Sequence, residues 1–583
     1  MITSSEVGAG ERLEVLLTLT LRGRRYRFGT STITIANAND TTIPARLLFV
    51  GAVSPIEYED SITIGGDLAP DRSVTASLIF GDDDGDAWAD IVAADHDLGD
   101  ALGEIALYRT GDDWGDRRVV LSGRVVSPSY GSPGEPVTLT IAEEPGDDRG
   151  LVPDGLGVVS SETWASELPA TDGVIATEAA AGQLYPRVYG APGIIYGTDT
   201  ITELPAVPAL VVGIDTVSLN AYGTNLDSDS DAVVEPATVL LMGHPGSVLE
   251  AAATVTLYNM DAKKPKSSGW AVASSQDLRG REVVTVSVNH DTSPAAGMLI
   301  DADHAIYWSA ESAALGGVYD DVRSGCMRNA AEIIEDLLSF STLRYDVERI
   351  RSIRAELAAF RLDFFVNEQR SPYDIISEDI LPILPVSPVI GPRGLYFSVW
   401  NFLAETSDAV DTINPDRRGG YRNSPVEVSD VASVFNRLTI DYGLRADTGE
   451  YARALTVAPD NSDSDPDTYV HPAAFASATR YTTPGARLTA REGSPIASDV
   501  VYAPQTARAV LEWMLRAHCS VFQTVEYVLP QRYAGLDPGD IVVVTDDAIR
   551  WADRVCLVQS ITRGIGDVLV VVRTLPYWVR DAV

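Results

Sequence analysis

Lysine is almost missing from this chain of 583 residues. Its three lysines stand together at Lys263, Lys264 and Lys266, so arginine supplies the other 41 of the 44 basic residues (44 − 3). Cysteine is as scarce. Cys326, Cys519 and Cys556 are too few and too widely spaced for a disulfide framework or a zinc knuckle, which points to assembly in a reducing cytoplasm. No apolar run approaches the roughly 18–20 residues that a membrane-crossing helix requires. The opening Met-Ile-Thr-Ser-Ser-Glu lacks the basic and apolar parts of a cleaved signal. A soluble chain, neither inserted in a membrane nor exported by a cleaved signal, is expected.

Enzyme signatures are missing as well. The sequence contains no GxSxG elbow, no HExxH and no GxxxxGK[ST] phosphate loop. His96, His244, His290, His304, His471 and His518 stand apart, without metal-ligand spacing. His518 and Cys519 are adjacent, but neighbours on a helix point about 100° apart, so they cannot act as base and nucleophile for each other. Alternating acids at Asp82, Asp84 and Asp86, at Asp227, Asp229 and Asp231, and at Asp463, Asp465 and Asp467 invite a calcium reading. A calcium-binding loop of the helix–loop–helix type needs Gly at its sixth position and Glu at its twelfth. Those positions are Ala87 and Ala93 in the first run, Ala232 and Thr238 in the second. Solvated acidic turns are the reading for these runs. The 83 acidic residues offer too many carboxylate pairs to single one out for glycoside hydrolysis, and the 9 Trp are scattered. No catalytic, cofactor-binding or metal-binding residue is assigned, and no cofactor or enzymatic activity is expected.

What the chain does have is acid: 83 acidic against 44 basic residues, a formal net charge of −39. Such a surface repels nucleic-acid phosphates and anionic membranes, which argues against a stable grip on either. Its length exceeds what one core supports, and Gly and Pro are spread along it, as in a β-rich multidomain protein with many turns. Residues 1–148 alternate with period two: Leu13, Val15, Leu17, Leu19 and Leu21 against Glu14, Thr18 and Thr20, then Tyr26 and Phe28 returning after a turn at Gly23. Val74, Ala76, Leu78 and Phe80 repeat the pattern, followed by Val119, Leu121 and Val125 and by Val137, Leu139 and Ile141. A short helix is predicted near Trp88, Ile91 and Val92.

Residues 149–325 read as strands between polar loops, with Asn225–Asp231 and the lysine cluster in loops, the latter broken by Pro265 and Gly269. Residues 326–425 form a small α/β module. Its first helix is capped by Asn329, with Glu332 at the third position, and buries Ala330, Ile333, Ile334, Leu337 and Leu338. A second helix is predicted over Val347–Phe360. A third starts at Ser371–Pro372, carries Ile375, Ile376 and Ile380, and stops at Pro382. Residues 426–583 return to strands, with one helix from Pro504 that buries Ala507, Val510, Leu511 and Met514.

The last section carries a resemblance. Val434-Phe435-Asn436-Arg437-Leu438-Thr439-Ile440-Asp441-Tyr442 is followed by Ala478-Thr479-Arg480-Tyr481 and the helix with Ala507, Ala509 and Leu511. Then come Val528-Leu529-Pro530 and Leu536-Asp537-Pro538-Gly539-Asp540-Ile541-Val542. This order resembles the tail hub proteins of long-tailed bacteriophages and gene transfer agents, although Tyr481 precedes Thr-Thr-Pro-Gly rather than Gly. Leu121-Ser122-Gly123-Arg124-Val125 resembles the strand that ends the first hub barrel. Tyr185-Pro186-Arg187-Val188-Tyr189-Gly190 is similar to a segment of the second hub domain.

The resemblance implies a structural virion protein, similar to the central baseplate hub of contractile tails. Its fold would be mainly β with α/β parts: tube-like β-barrels at 1–148 and 426–583, a β-rich domain at 149–325 and a small α/β domain at 326–425. A homotrimer would present six barrels to a hexameric tail tube, between the distal tail protein, the tape measure protein and a tail tip or fibre protein. DNA would pass through without specific binding, along a channel lined by acid, with the lysines outside it. The rival readings are a β-rich virion-associated hydrolase, a surface adhesin and a spike-like injector subunit.

Overall fold

A computed structural model describes the strands and a few turns of residues 13–142 and the strands between 174 and 320. It also describes residues 325–575, except 342, 367, 392–393, 446–447, 461–465, 483–489 and 564–566. The chain is mainly β, with a smaller helical part and more than one apolar core.

The N-terminal segment forms nine strands: β1 (Leu13–Leu21), β2 (Arg24–Gly29), β3 (Ile33–Ala36), β4 (Arg46–Gly51), β5 (Tyr58–Ser61), β6 (Ser73–Leu78), β7 (Leu102–Arg109), β8 (Arg118–Ser129) and β9 (Val137–Ala142). Eight of them form one sheet in the order β3-β4-β2-β1-β7-β8-β9-β6, and β5 leaves it. Leu21 lies opposite Arg24, which places the predicted turn at Gly23. Side chains two residues apart share a face, so Val15, Leu17, Leu19, Val74, Ala76, Leu78, Leu121, Val125, Leu139 and Ile141 converge on one core. Register slips between Ile105 and Ala106 and between Val125 and Ser127 bend the sheet as bulges do. The opposite face is not all polar. Leu16, Ile35, Leu47, Tyr108 and Trp114 pack there, and Glu14 is buried, with the Thr30 hydroxyl donating to its carboxylate. Phe80 and the helix expected around Trp88 lie outside the described residues, as does Asn225–Asp231.

The middle strands form a five-stranded and a four-stranded sheet. Lys264–Lys266 is a strand rather than the expected loop: it pairs antiparallel with Val255–Asn259. It lies at the edge of its sheet, where Pro265 needs no partner for an N–H that it lacks.

The helical module begins as its sequence indicates. Helix Ala330–Ser339 is capped by Asn329, whose side chain accepts from Ala331 N at 3.0 Å, and its five predicted apolar residues are buried. The second helix is shorter than predicted, Val347–Ser352, and turns follow to residue 359. The third runs as Pro372–Asp374, a π-helical stretch Ile375–Ile380 and a 3₁₀ turn Leu381–Ile383, so Pro382 sits inside the last turn rather than beyond it. A helix that the sequence reading omitted, Pro472–Tyr481, follows His471, whose Nδ1 accepts from Ala473 N at 3.1 Å. Helix Pro504–His518 forms as predicted, with Met514 only partly buried.

The core of this module does not end at residue 425. It continues through the sheet Leu438–Leu444, Tyr451–Ala458, Thr468–Val470 and Ile496–Ser498 and through helix Pro504–His518. The C-terminal sheet in turn starts before residue 426. Its order is Asp411–Ile413, Ile541–Asp546, Trp551–Arg563, Asp567–Thr574, Gln523–Pro530, Tyr421–Arg422, with Glu427–Val428 also on Gln523–Pro530. Val525, Tyr527, Leu529, Val542, Val544, Cys556, Val558, Val568, Val570 and Val572 fill its inner face at period two. A slip between Val558 and Ser560 resets the alternation so that Ile561 also points inward. Ile541, Leu557 and Leu575, facing away, join the core of the helical module.

Candidate functional site

Cys519 is fully buried and His518 half-buried at the end of helix Pro504–His518. Burial pushes the Cys519 thiol up to about 12, and burial with the nearby Arg573 charge pushes His518 down to about 4. The imidazole stacks on Phe435 with ring centroids 4.4 Å apart, and Cys519 caps the helix end, its carbonyl accepting from Ser477 Oγ at 2.6 Å. Both shifts favour the uncharged imidazole and thiol. Among the described residues no three His, Cys, Asp or Glu side chains gather as metal ligands. The runs at Asp82 and Asp227 lie outside the described residues; Asp467 is described, and its backbone carbonyl accepts from Thr456 N at 2.9 Å.

The motifs that carry the resemblance have a different chemistry: they join parts of the chain. In Leu536-Asp537-Pro538-Gly539-Asp540, Gly539 takes φ +94°, a conformation that side chains rarely adopt. The loop thereby turns back on itself, and Asp540 accepts from Asp537 N at 2.8 Å. Asp537 then faces two cations. Arg563 Nη2, on a fully buried side chain, lies 3.1 Å from Asp537 Oδ1, and Arg349 Nη2, from helix Val347–Ser352, lies 3.0 Å from Oδ2. Arg563 also donates to the carbonyls of Ala534, at 2.9 Å, and of Leu536. The Arg349 guanidinium stacks 4.1 Å from the Tyr396 ring. Burial, with Asp537 adding to it, pushes the Asp540 carboxyl up to about 6.

A third part of the chain arrives at the same place. β5, from the N-terminal segment, pairs antiparallel with the end of strand Trp551–Arg563, with Tyr58 opposite Arg563. Thus the helical module, the C-terminal sheet and a strand from near the N-terminus meet within a few residues of Asp537. The β5 backbone lengthens the sheet along an edge that would otherwise stay open, as added strands do.

Three further joints use the same chemistry. Arg187 Nη2 lies 2.6 Å from Asp336 Oδ2, and the Tyr189 hydroxyl donates to the same oxygen at 2.6 Å; strand Arg187–Tyr189 pairs with Phe364–Val366. Gly190, at φ +66°, follows, and a Cβ there would come 2.0 Å from Asp363 Oδ1, which Arg328 holds at 2.9 Å. Asn436 is fully buried and accepts from Arg491 N through its side chain at 2.9 Å. Arg573 leaves the C-terminal sheet to donate to Ala517 O at the end of helix Pro504–His518, its guanidinium 3.6 Å from the Phe522 ring.

The sequence reading missed Arg349, Arg563 and Arg573. Arg563 left one signal: it follows Ile561 by two positions in an alternating strand, so it shares the inward parity of the apolar residues.

Residues 468–560 match a family model described as "Putative phage tail protein". The resemblance to phage tail proteins read from the sequence is supported by this match, which covers the Asp537 loop and the helix Pro504–His518. No curated protein matches significantly. Among solved structures, a tail protein from Neisseria meningitidis MC58 is similar at 11% identity and TM-score 0.32, over 98% of this chain and 99% of that one. A 43 kDa tail protein of prophage MuSo2 from Shewanella oneidensis is similar at 10% identity and TM-score 0.35, with coverage of 98% and 99%. A chain from the virion of a native gene transfer agent is similar at 13% identity and TM-score 0.17, with coverage of 52% and 81%. At these scores the superpositions carry no argument about the fold.

Proposed function

We propose that the chain is a non-enzymatic structural subunit of a phage tail, a trimeric hub at the tip of the tail tube, located in the virion and assembled in the host cytoplasm. The observation that carries the reading is the pairing of β5 with strand Trp551–Arg563. Both ends of the chain build a bulged sheet, and that pairing carries a strand from the N-terminal segment into the C-terminal sheet. Two such units per chain would make six in a trimer, the number a sixfold tube requires. On this proposal the units are barrels, one within 1–148 and one centred on 523–574, carried by the β-rich and helical parts between them. The distal tail protein, the tape measure protein and a tip or fibre protein would be its neighbours.

Three copies carry −117 (3 × −39). Acid facing a lumen would repel passing DNA within a Debye length of about 8–10 Å. No helix among the described residues is long and apolar enough to cross a membrane. Native mass spectrometry of the chain, with imaging of tailed particles, tests the reading. Three copies around the tail axis are expected; six or twelve would refute the hub and indicate a tube or distal ring protein.

A further inference from the structure

The edge of the C-terminal sheet carries the exposed arginines Arg417, Arg418 and Arg422 in a chain that is acidic as a whole. Helix Pro415–Arg418 is capped by Asn414, whose side chain accepts from Arg417 N at 3.0 Å. Gly419 and Gly420 follow at φ +79° and +106°, and a Cβ on Gly420 would come 2.6 Å from Val528 O. The two glycines therefore let the chain press onto Gln523–Pro530, where Tyr421 pairs with Val528 and Arg422 with Tyr527. Arg532 donates to Arg418 O, which places a further arginine beside the helix end.

Arg418 is neutralised by Asp411 at 3.0 Å. Arg417, Arg422 and Arg532 form no ion pair among the described residues, although Asp416 and Glu427 are close in sequence and Glu526 bonds to Asn423. Arg417 and Arg422 are exposed, and the Tyr421 ring between them is 58% exposed, as is Val428 at 57%. The strand is the outermost of its sheet, so one row of its backbone groups faces away from any partner.

We propose that this arginine-bearing sheet edge is the contact through which one copy of the chain binds the acidic surface of a second copy. The inference rests on the self-assembly in the proposed function and names its contact. Charge selects the occupant. Copies that each carry −39 repel one another at long range, and exposed cations without an ion partner are places where that repulsion is relieved against acid. The exposed ring and the open edge favour a protein strand or loop over a nucleic-acid backbone, since an edge offers main-chain hydrogen bonds at strand spacing.

The test uses the full chain carrying Arg417→Glu and Arg422→Glu, with Arg418 left in place. Sedimentation over a range of concentrations, at low and high salt, reads self-association, and melting and circular dichroism read the fold. A native fold with self-association weakened about tenfold or more is expected, with the wild type losing more affinity at high salt than the variant does. If the charge reversal prevents folding, Arg417→Gln with Arg422→Gln is to show the same direction of change. Hydrogen exchange should show the outward-facing Arg422 amide gaining protection in the assembled wild type.

Unchanged association in a folded variant overturns the contact while leaving the hub reading intact. So does loss of binding to a short DNA duplex with association unaltered, which would assign the arginines to nucleic acid. Six or twelve copies that the variant still disrupts support the contact and refute the trimer. A wild type that stays monomeric overturns both.

Discussion

Removal of Arg563 should loosen the junction far more than removal of Arg349, although both face the same carboxylate. Arg563 is fully buried and holds two backbone carbonyls besides Asp537. Arg563→Ala leaves those acceptors without their donor, strips Asp537 of one cation and opens a void. Breaking a buried ion pair from one side costs about 3–5 kcal/mol. Arg349 is about one-third exposed, its carboxylate keeps Arg563 when it is lost, and water can replace it, so Arg349→Ala should cost about 1 kcal/mol. Unfolding of a chain with several cores is not a two-state event, so the reading belongs at the junction itself. Hydrogen exchange of the amides at 58–61 and 560–563 reports the opening of the β5 pairing. At 1.36 kcal/mol per tenfold, a loss of about 3 kcal/mol accelerates exchange there by roughly 100-fold, while the N-terminal sheet core stays unaffected. Equal effects of the two substitutions, or acceleration below about fivefold for Arg563→Ala, would refute the argument that Asp537 and Arg563 fasten these parts together.

Asp540 is held near 6 in the native state against an ordinary 3.8, so the folded chain binds more protons between those values, and the group's contribution to stability rises as pH falls through 6. Asp540→Asn should therefore raise the melting temperature at pH 8 and leave it unchanged below about pH 4; a lowered melting temperature at pH 8 would contradict the burial cost. His518 has the opposite sign: held near 4 against 6.5, it contributes stability above 6.5 that is lost as pH falls towards 4, and His518→Phe should remove that pH dependence of the melting temperature while keeping the stack on Phe435. Cys519 should resist alkylation in the native chain at pH 8 and react after denaturation, and Cys519→Ala should assemble normally; rapid native labelling would show that the thiol is activated. Gly190→Ala should destabilise by about 3 kcal/mol or more, because the methyl group meets the Asp363 carboxylate and the backbone sits at positive φ; a cost under about 1 kcal/mol, read from hydrogen exchange of the amides at 187–189 and 364–366, would show that the Arg328–Asp363 pair yields.

Much of the local structure was legible in the residues. Period-two apolar runs located the strands of both curved sheets, and Asn329 before Ala330 marked a helix start, because a strand's alternation and a helix's unsatisfied N–H groups are properties of a few neighbouring residues. The same local rules misplaced the lysine strand, since whether Pro265 is tolerated depends on an edge position that only the sheet supplies. They overran the helix at Val347, which stops at Ser352, and missed the one opening at His471-Pro472. Adjacency on a helix argued against a reactive His518–Cys519 pair, and the fold adds an independent physical reason, since both groups are buried, His518 beside Arg573. What only the tertiary structure decided is where the parts join. Arg349 and Asp537 are 188 residues apart, and β5 reaches a strand some 500 positions later. Ion pairs and strand pairings at such separations leave no period in a sequence, because either partner alone is an ordinary polar residue. The meeting of the two is fixed by the packing of whole sheets, whose outward faces, through Ile541, Leu557 and Leu575, share one core with the helices that bring Arg349 into place.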